Sequence, residues 1–172
     1  VGAEEVGYGF LCGRDYQTRK HVSRNRSGFD LLRARREAFR FAARPSPESG
    51  VTIGLPDALH LCEDLDFWRK FFDLLGLRTV SSELAKDALE EGKRLARAEF
   101  CAPIAALHGH VRYLLERSDF VFLPFYLEER TGQRETRRQY CYYTQFAPAL
   151  IFGSVPGAVG RVLTPLVHSL YP

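Results

Sequence analysis

Methionine is absent from all 172 residues and the chain begins at Val1, so it is expected to be a piece of a longer protein whose function is completed elsewhere. Cysteine is scarce and scattered. Cys12, Cys62, Cys101 and Cys141 form no CxxC pair, which excludes a zinc ribbon and a dense secreted disulfide scaffold and leaves reduced thiols or distant metal ligands. No apolar run reaches the roughly 18 residues that cross a bilayer, and no basic-then-apolar leader opens the chain. A soluble, cytoplasmic protein without a membrane partner is expected. A dominant charge is missing too: 24 basic and 21 acidic residues nearly cancel to +3, which gives no reason to expect a nucleic-acid partner. Also absent are GxGxxG after the first strand, GxxxxGKS/T, GxSxG and HExxH, which removes the ordinary dinucleotide, nucleotide, hydrolase and zincin readings.

What is present, at 45% hydrophobic residues, can bury one sizeable core. Phe29, Leu32, Arg36 and Phe39 predict an amphipathic helix whose five arginines between positions 33 and 44 form a solvated face. Pro45 and Pro47 break it. Residues 1–50 therefore read as an N-terminal helical arm and linker, and residues 51–172 as the domain. Residues 51–56 read as a buried strand. Leu59, Phe67, Phe71, Phe72 and Leu75 follow as a helix stopped by Gly76, with the stripe Phe67, Trp68, Phe71, Phe72 expected in the core and Trp68 able to line a pocket.

Residues 77–80 predict a second strand, Ser81 or Ser82 an N-cap, and residues 84–89 a short helix ending near Gly92. Cys101 falls at the start of a helix carrying Pro103 in its first turn and Ile104, Leu107, Val111, Leu114 and Leu115 on its apolar positions. Ser118 and Asp119 end it. Residues 120–125 are the clearest strand, 128–138 a charged loop, 140–152 a helix interrupted by Pro148, and 162–170 an amphipathic segment. The alternation predicts an α/β fold: a Rossmann-like three-layer sandwich with a mostly parallel sheet covered on both faces.

In such a sheet ligands gather beyond the carboxyl ends of the strands. Cys101 falls there, where a helix N-terminus favours a thiolate, although by spacing alone a buried, inert cysteine is the commoner outcome. His108 and His110 stand two apart on a helix and cannot readily share one ion; one is expected at the site and the other in core or water, with Gly109 allowing close packing. Tyr140, Tyr142 and Tyr143 cannot all bury their hydroxyls cheaply, so some border a cleft or interface.

The ordered series IGLPDALHLCEDLDFWRKFFDLLG, CAPIAALHGHVRYLLE, DFVFLPF and CYYTQFAP, within residues 27–148, resembles the domain of uncharacterised role fused behind the ATPase domains of CoA-substrate-specific enzyme activases. That domain is related to the subunits of 2-hydroxyacyl-CoA dehydratases. The resemblance implies a Rossmann-like domain of anaerobic metabolism in which an ATP-driven activase passes a low-potential electron to a second component carrying a 4Fe–4S cluster. ATP would sit only on the separate activase domain. The family's cysteines fall on Cys101 and Cys141, with Gln145 and Pro148 completing the second motif and His108 or His110 beside the ligands. Implied partners are the activase ATPase domain, of the same or another chain, and an acyl-CoA; the isolated domain is not expected to be catalytic alone. Three positions depart from the pattern: Phe125 stands for a cysteine, Asp57 for an arginine and Ala105 for a lysine. A third ligand would have to come from Cys12, from elsewhere in the full protein or from a partner, or this copy keeps the fold without the metal and serves as a module that docks the activase or binds acyl-CoA. The arginines of residues 33–44 would then meet CoA phosphates or an acidic face.

Overall fold

Alternation along residues 52–55 serves two cores at once. In strand β1 (Thr52–Leu55), Ile53 and Leu55 face one side of the sheet, while Gly54 faces the other and leaves room for a helix to press close. The computed structural model describes residues 27–38, 50–96, 98–129 and 138–167. Residues 1–39 and 40–172 form separate units. The first contributes helix α1 (Leu31–Ala38), whose start is fixed by the Asp30 carboxylate accepting the Arg33 N–H at 3.0 Å. The rest of the expected arginine-rich helix lies outside the described residues, as does Cys12.

In the second unit, β1 leads to helix α2 (Leu61–Leu74), strand β2 (Arg78–Ser81), helices α3 (Ala88–Ala96) and α4 (Ala102–Leu115), and strand β3 (Phe120–Phe122). Short elements follow: β4 (Phe125–Tyr126), β5 (Glu128–Glu129), β6 (Arg138–Gln139), α5 (Tyr142–Gln145), α6 (Ala147–Ser154), β7 (Val162–Leu163) and β8 (Leu166–Val167). The main sheet has the order β2-β1-β3-β7, all parallel, with β4-β8 parallel and β5-β6 antiparallel beside it. This is an α/β sandwich.

On one face α2 packs Leu65 and Phe72 against Ile53, Leu55 and Phe122. On the other, α4 and α6 bury Ile104, Leu107, Val111, Leu114, Ile151 and Val155 with Val121 and Leu123. Helix α4 is held from both sides. Toward the sheet, a Cβ on Gly54 would stand 2.6 Å from Ser118 Oγ and 3.1 Å from Leu114 Cβ. Toward α3, a Cβ on Gly109 would strike the Ala88 carbonyl, and one on Gly92 the Ala105 carbonyl. Gly92 therefore does not end a helix, as its flexibility suggests, but lies inside α3, where lack of a side chain lets two backbones touch.

Other differences have similar causes. The expected strand over residues 120–125 divides because Pro124 has no N–H to donate; Leu123 bonds the Leu163 carbonyl and Phe125 the Pro165 carbonyl, each at 2.9 Å. The expected amphipathic segment from 162 is two strands, β7 and β8, separated by Thr164 and Pro165. Residues 83–84 and 86–87 are turns, so the helix read at 84–89 begins later, at Ala88. Glu128–Glu129 and Arg138–Gln139, at the two ends of the expected charged loop, pair as strands. The stripe on α2 is only partly core: Phe72 is buried, but Phe67 and Phe71 are exposed, because α2 is the only helix packed on its face among the described residues.

Replacing Gly109 by alanine is expected to force α3 and α4 apart and cost about 1–3 kcal/mol, the range for overpacking a close contact. Urea unfolding of Gly109→Ala should show a lower midpoint at unchanged slope; an unchanged midpoint would contradict the backbone contact.

Candidate functional site

Chain connectivity selects the carboxyl edge of the sheet. Strand order reverses at β1, since β2 lies on one side and β3 on the other, and doubly wound sheets open a crevice at such a point. The loop leaving β1 turns sharply: Leu59 has φ of 53°, the left-handed region that leucine seldom adopts, and His60 follows as the N-cap of α2. The Cys62 thiol bonds the Leu59 carbonyl.

His60 is thereby turned inward against aromatic rings that follow β3. Its ring centroid lies 3.8 Å from that of Tyr126 and 5.3 Å from that of Tyr140. Neither of its ring nitrogens, both enclosed, has a hydrogen-bond partner among the described residues. Burial lowers its pKa to about 4. Tyr126, by contrast, is fully committed: Trp68 Nε1 donates to its hydroxyl at 2.9 Å, and the hydroxyl donates to Asp64 Oδ2 at 3.2 Å. Burial raises the pKa of this phenol, so it remains a donor.

A second polar group lies past β2. Buried Ser82 Oγ accepts the Asp57 N–H at 2.8 Å and meets His110 Nδ1 at 2.8 Å. Burial lowers the pKa of His110, opposed by the Asp57 carboxylate and the Ser82 bond. Asp57, standing where the resemblance leads one to expect arginine, thus belongs to a neutral serine–histidine pairing rather than to a cationic surface.

The two cysteines are N-caps. Cys101 starts α4, with φ and ψ of −59° and 150°, and Cys141 starts α5, with −61° and 155°. Both thiols are exposed and neither is in a disulfide, so the expectation of a buried, inert sulfur from spacing alone does not hold. The residues beside them meet: Phe100 packs edge-on against Tyr143 at 5.4 Å. The thiol of Cys141 lies 3.3 Å from Thr144 Oγ1, whose hydroxyl, followed by its backbone N–H, lowers the cysteine's pKa and favours thiolate. Gln145 secures this turn by donating from Nε2 to the Tyr140 carbonyl at 2.6 Å.

His108 is fully buried, its Nδ1 bonding the Ile104 carbonyl at 2.7 Å and its ring stacking 5.9 Å from Phe100. A carbonyl partner requires the proton on Nδ1, so Nε2 is an acceptor, and it has no partner among the described residues. Burial, opposed by that carbonyl, lowers its pKa. Phe125 is half-buried in β4, and Ala105 is buried in the α3–α4 contact, where lysine would not fit. Among the described residues, no group of three histidines, cysteines, aspartates or glutamates is placed to hold a metal.

His60, Tyr126, Asp64 and Ser82 did not stand out in the sequence. Only the place of His60 in the loop after the first strand could have signalled it, since the Tyr126–Trp68–Asp64 chain joins residues about 60 positions apart. Tyr142 and Tyr143 are exposed, in keeping with tyrosines at the border of a cleft or interface.

The family model for the CoA enzyme activase uncharacterised domain matches residues 52–170, well over half of the chain, beginning at β1 and extending beyond Pro148. No curated protein matches the chain, and no solved structure does.

The depressed pKa of His60 has a consequence for stability. Above the ordinary histidine value of about 6.5 the ring is neutral in both folded and unfolded chains; between there and about 4 the unfolded chain takes up a proton that the folded one refuses. Stability should therefore fall with pH across that window, by about 3 kcal/mol from this residue. His60→Phe should flatten that part of the profile in denaturant titrations at successive pH values, and an unchanged slope would refute the buried neutral ring.

Proposed function

Since the chain belongs to the family of the CoA enzyme activase uncharacterised domain, we propose that it serves ATP-driven, low-potential electron transfer in an activase or 2-hydroxyacyl-CoA dehydratase-like system, with Cys101 and Cys141 as cluster ligands. The observation that carries this reading is that both thiols sit exposed at helix starts joined through Phe100 and Tyr143. Burial in a core is not what holds these sulfurs in place.

A 4Fe–4S cluster takes four ligands, usually thiolates. The described residues of this edge offer two, with Phe125 in the third position and no three-ligand group. Within those residues the donor set is incomplete, so no step is derived through the cluster. Cys12, another part of the full protein or a partner chain would supply the remainder, and the bound cluster would supply one-electron transfer. The chain's own contribution is to hold Cys141 toward thiolate through Thr144 and to brace its turn through Gln145.

A second reading is favoured by Phe125 and Asp57: the domain docks the activase ATPase or holds an acyl-CoA with no cluster. Neutral, buried polar groups at the edge support binding without redox chemistry.

Anaerobic purification of the full-length protein followed by iron and sulfide analysis separates the two. The first reading expects matched iron and sulfide, lost in Cys101→Ser and in Cys141→Ser. Iron-free protein whose iron uptake is unaltered by both substitutions, but which binds CoA esters in calorimetry, leaves the second.

A further inference from the structure

Helix α2 covers Ile53, Leu55 and Phe122, yet along its outer edge the apolar surface continues into solvent. Between α2 and the strands β7 and β8 runs an open groove of about 540 Å³, lined by Trp68, Phe71, Phe72, Phe122, Leu163 and Pro165 among others. Beside it stands a ridge. Phe67, Phe71 and Leu74 recur at helical spacing and are 61%, 42% and 65% exposed, with Leu75 at 58% and Leu163, on the opposite wall, at 39%. Phe67 and Phe71 both meet Trp68 edge-on, at 5.0 and 5.5 Å, which joins ridge and groove into one patch.

A small-molecule site would carry a few placed polar groups to orient its ligand. Thr164 is the one polar side chain lining this groove among the described residues. At ~150–250 Å² for a whole aromatic side chain and somewhat less for leucine, these exposed fractions add to roughly 500 Å² of apolar surface per chain, toward the top of what a monomer ordinarily leaves exposed. Two such faces bury roughly 1,000 Å² between them, the lower bound for a specific interface.

We infer that this face is the twofold interface of a homodimer, in which the Phe67–Phe71–Leu74 ridge of each α2 enters the groove between α2 and β7–β8 of a second copy. A ridge and a groove in one patch are what an isologous contact requires, because each copy presents both halves of the fit.

Sedimentation of the full chain from about 1 to 100 µM tests this. A doubled mass is expected, lost in the Phe67→Glu/Leu74→Glu double variant and, from the opposite wall, in Leu163→Glu, with circular dichroism unchanged. Should the double variant not fold, Leu163→Glu alone decides. A chain that stays monomeric at about 100 µM, or a doubled mass that survives these substitutions, overturns the inference. So does a monomer that gains mass only with the activase ATPase, which would assign the face to that partner.

Discussion

Helix α4 is clamped where three glycines leave no side chain in the way. Gly54 admits Leu114 and Ser118 to within contact of the sheet, and Gly92 and Gly109 let α3 and α4 touch backbone to backbone. A contact of this kind tolerates little sliding, because the nearest atoms are carbonyl groups rather than adaptable side chains. Most of the candidate site depends on where α4 lies. The helix buries His108 beneath the Phe100 ring, brings His110 to Ser82 beyond β2, and delivers Cys101 to the carboxyl edge.

That edge combines two chemical characters. Tyr126, Trp68 and Asp64 satisfy one another in a chain of directed hydrogen bonds, and nearby the Ser82 hydroxyl joins the Asp57 N–H to His110. His60 and the Nε2 of His108 are enclosed without partners among the described residues, and burial holds both rings toward the neutral form. Enclosed nitrogens of this kind cost free energy, and Leu59 adds a strained backbone beside one of them. The thiols of Cys101 and Cys141 are exposed at the same edge, where solvent or a partner can reach them.

Elements with a strong local signal were legible before the fold was known. The strand at 52–55, the helix through Leu61–Leu74 stopped by Gly76, and the helix opening at Cys101 all follow from apolar periodicity and terminators. Gly92 misled because its freedom suggests an end, whereas its use here is to have no Cβ. Phe67 and Phe71 misled because their spacing reports amphipathicity without reporting what lies opposite. Residues 162–167 misled because two short strands around a proline carry too few residues to reveal a period.

The sequence by itself determined the α/β class, the family and the nomination of Cys101 and Cys141, since periodicity, motif order and residue identity are local properties that survive without coordinates. Tertiary structure alone decided that both thiols are exposed, that Phe100 and Tyr143 bring their helix starts together, and that His60 meets Tyr126. The physical reason is that these contacts join positions about 40 to 65 apart. Their distances depend on how parallel strands register and how closely glycines let helices approach, which no single stretch of sequence encodes.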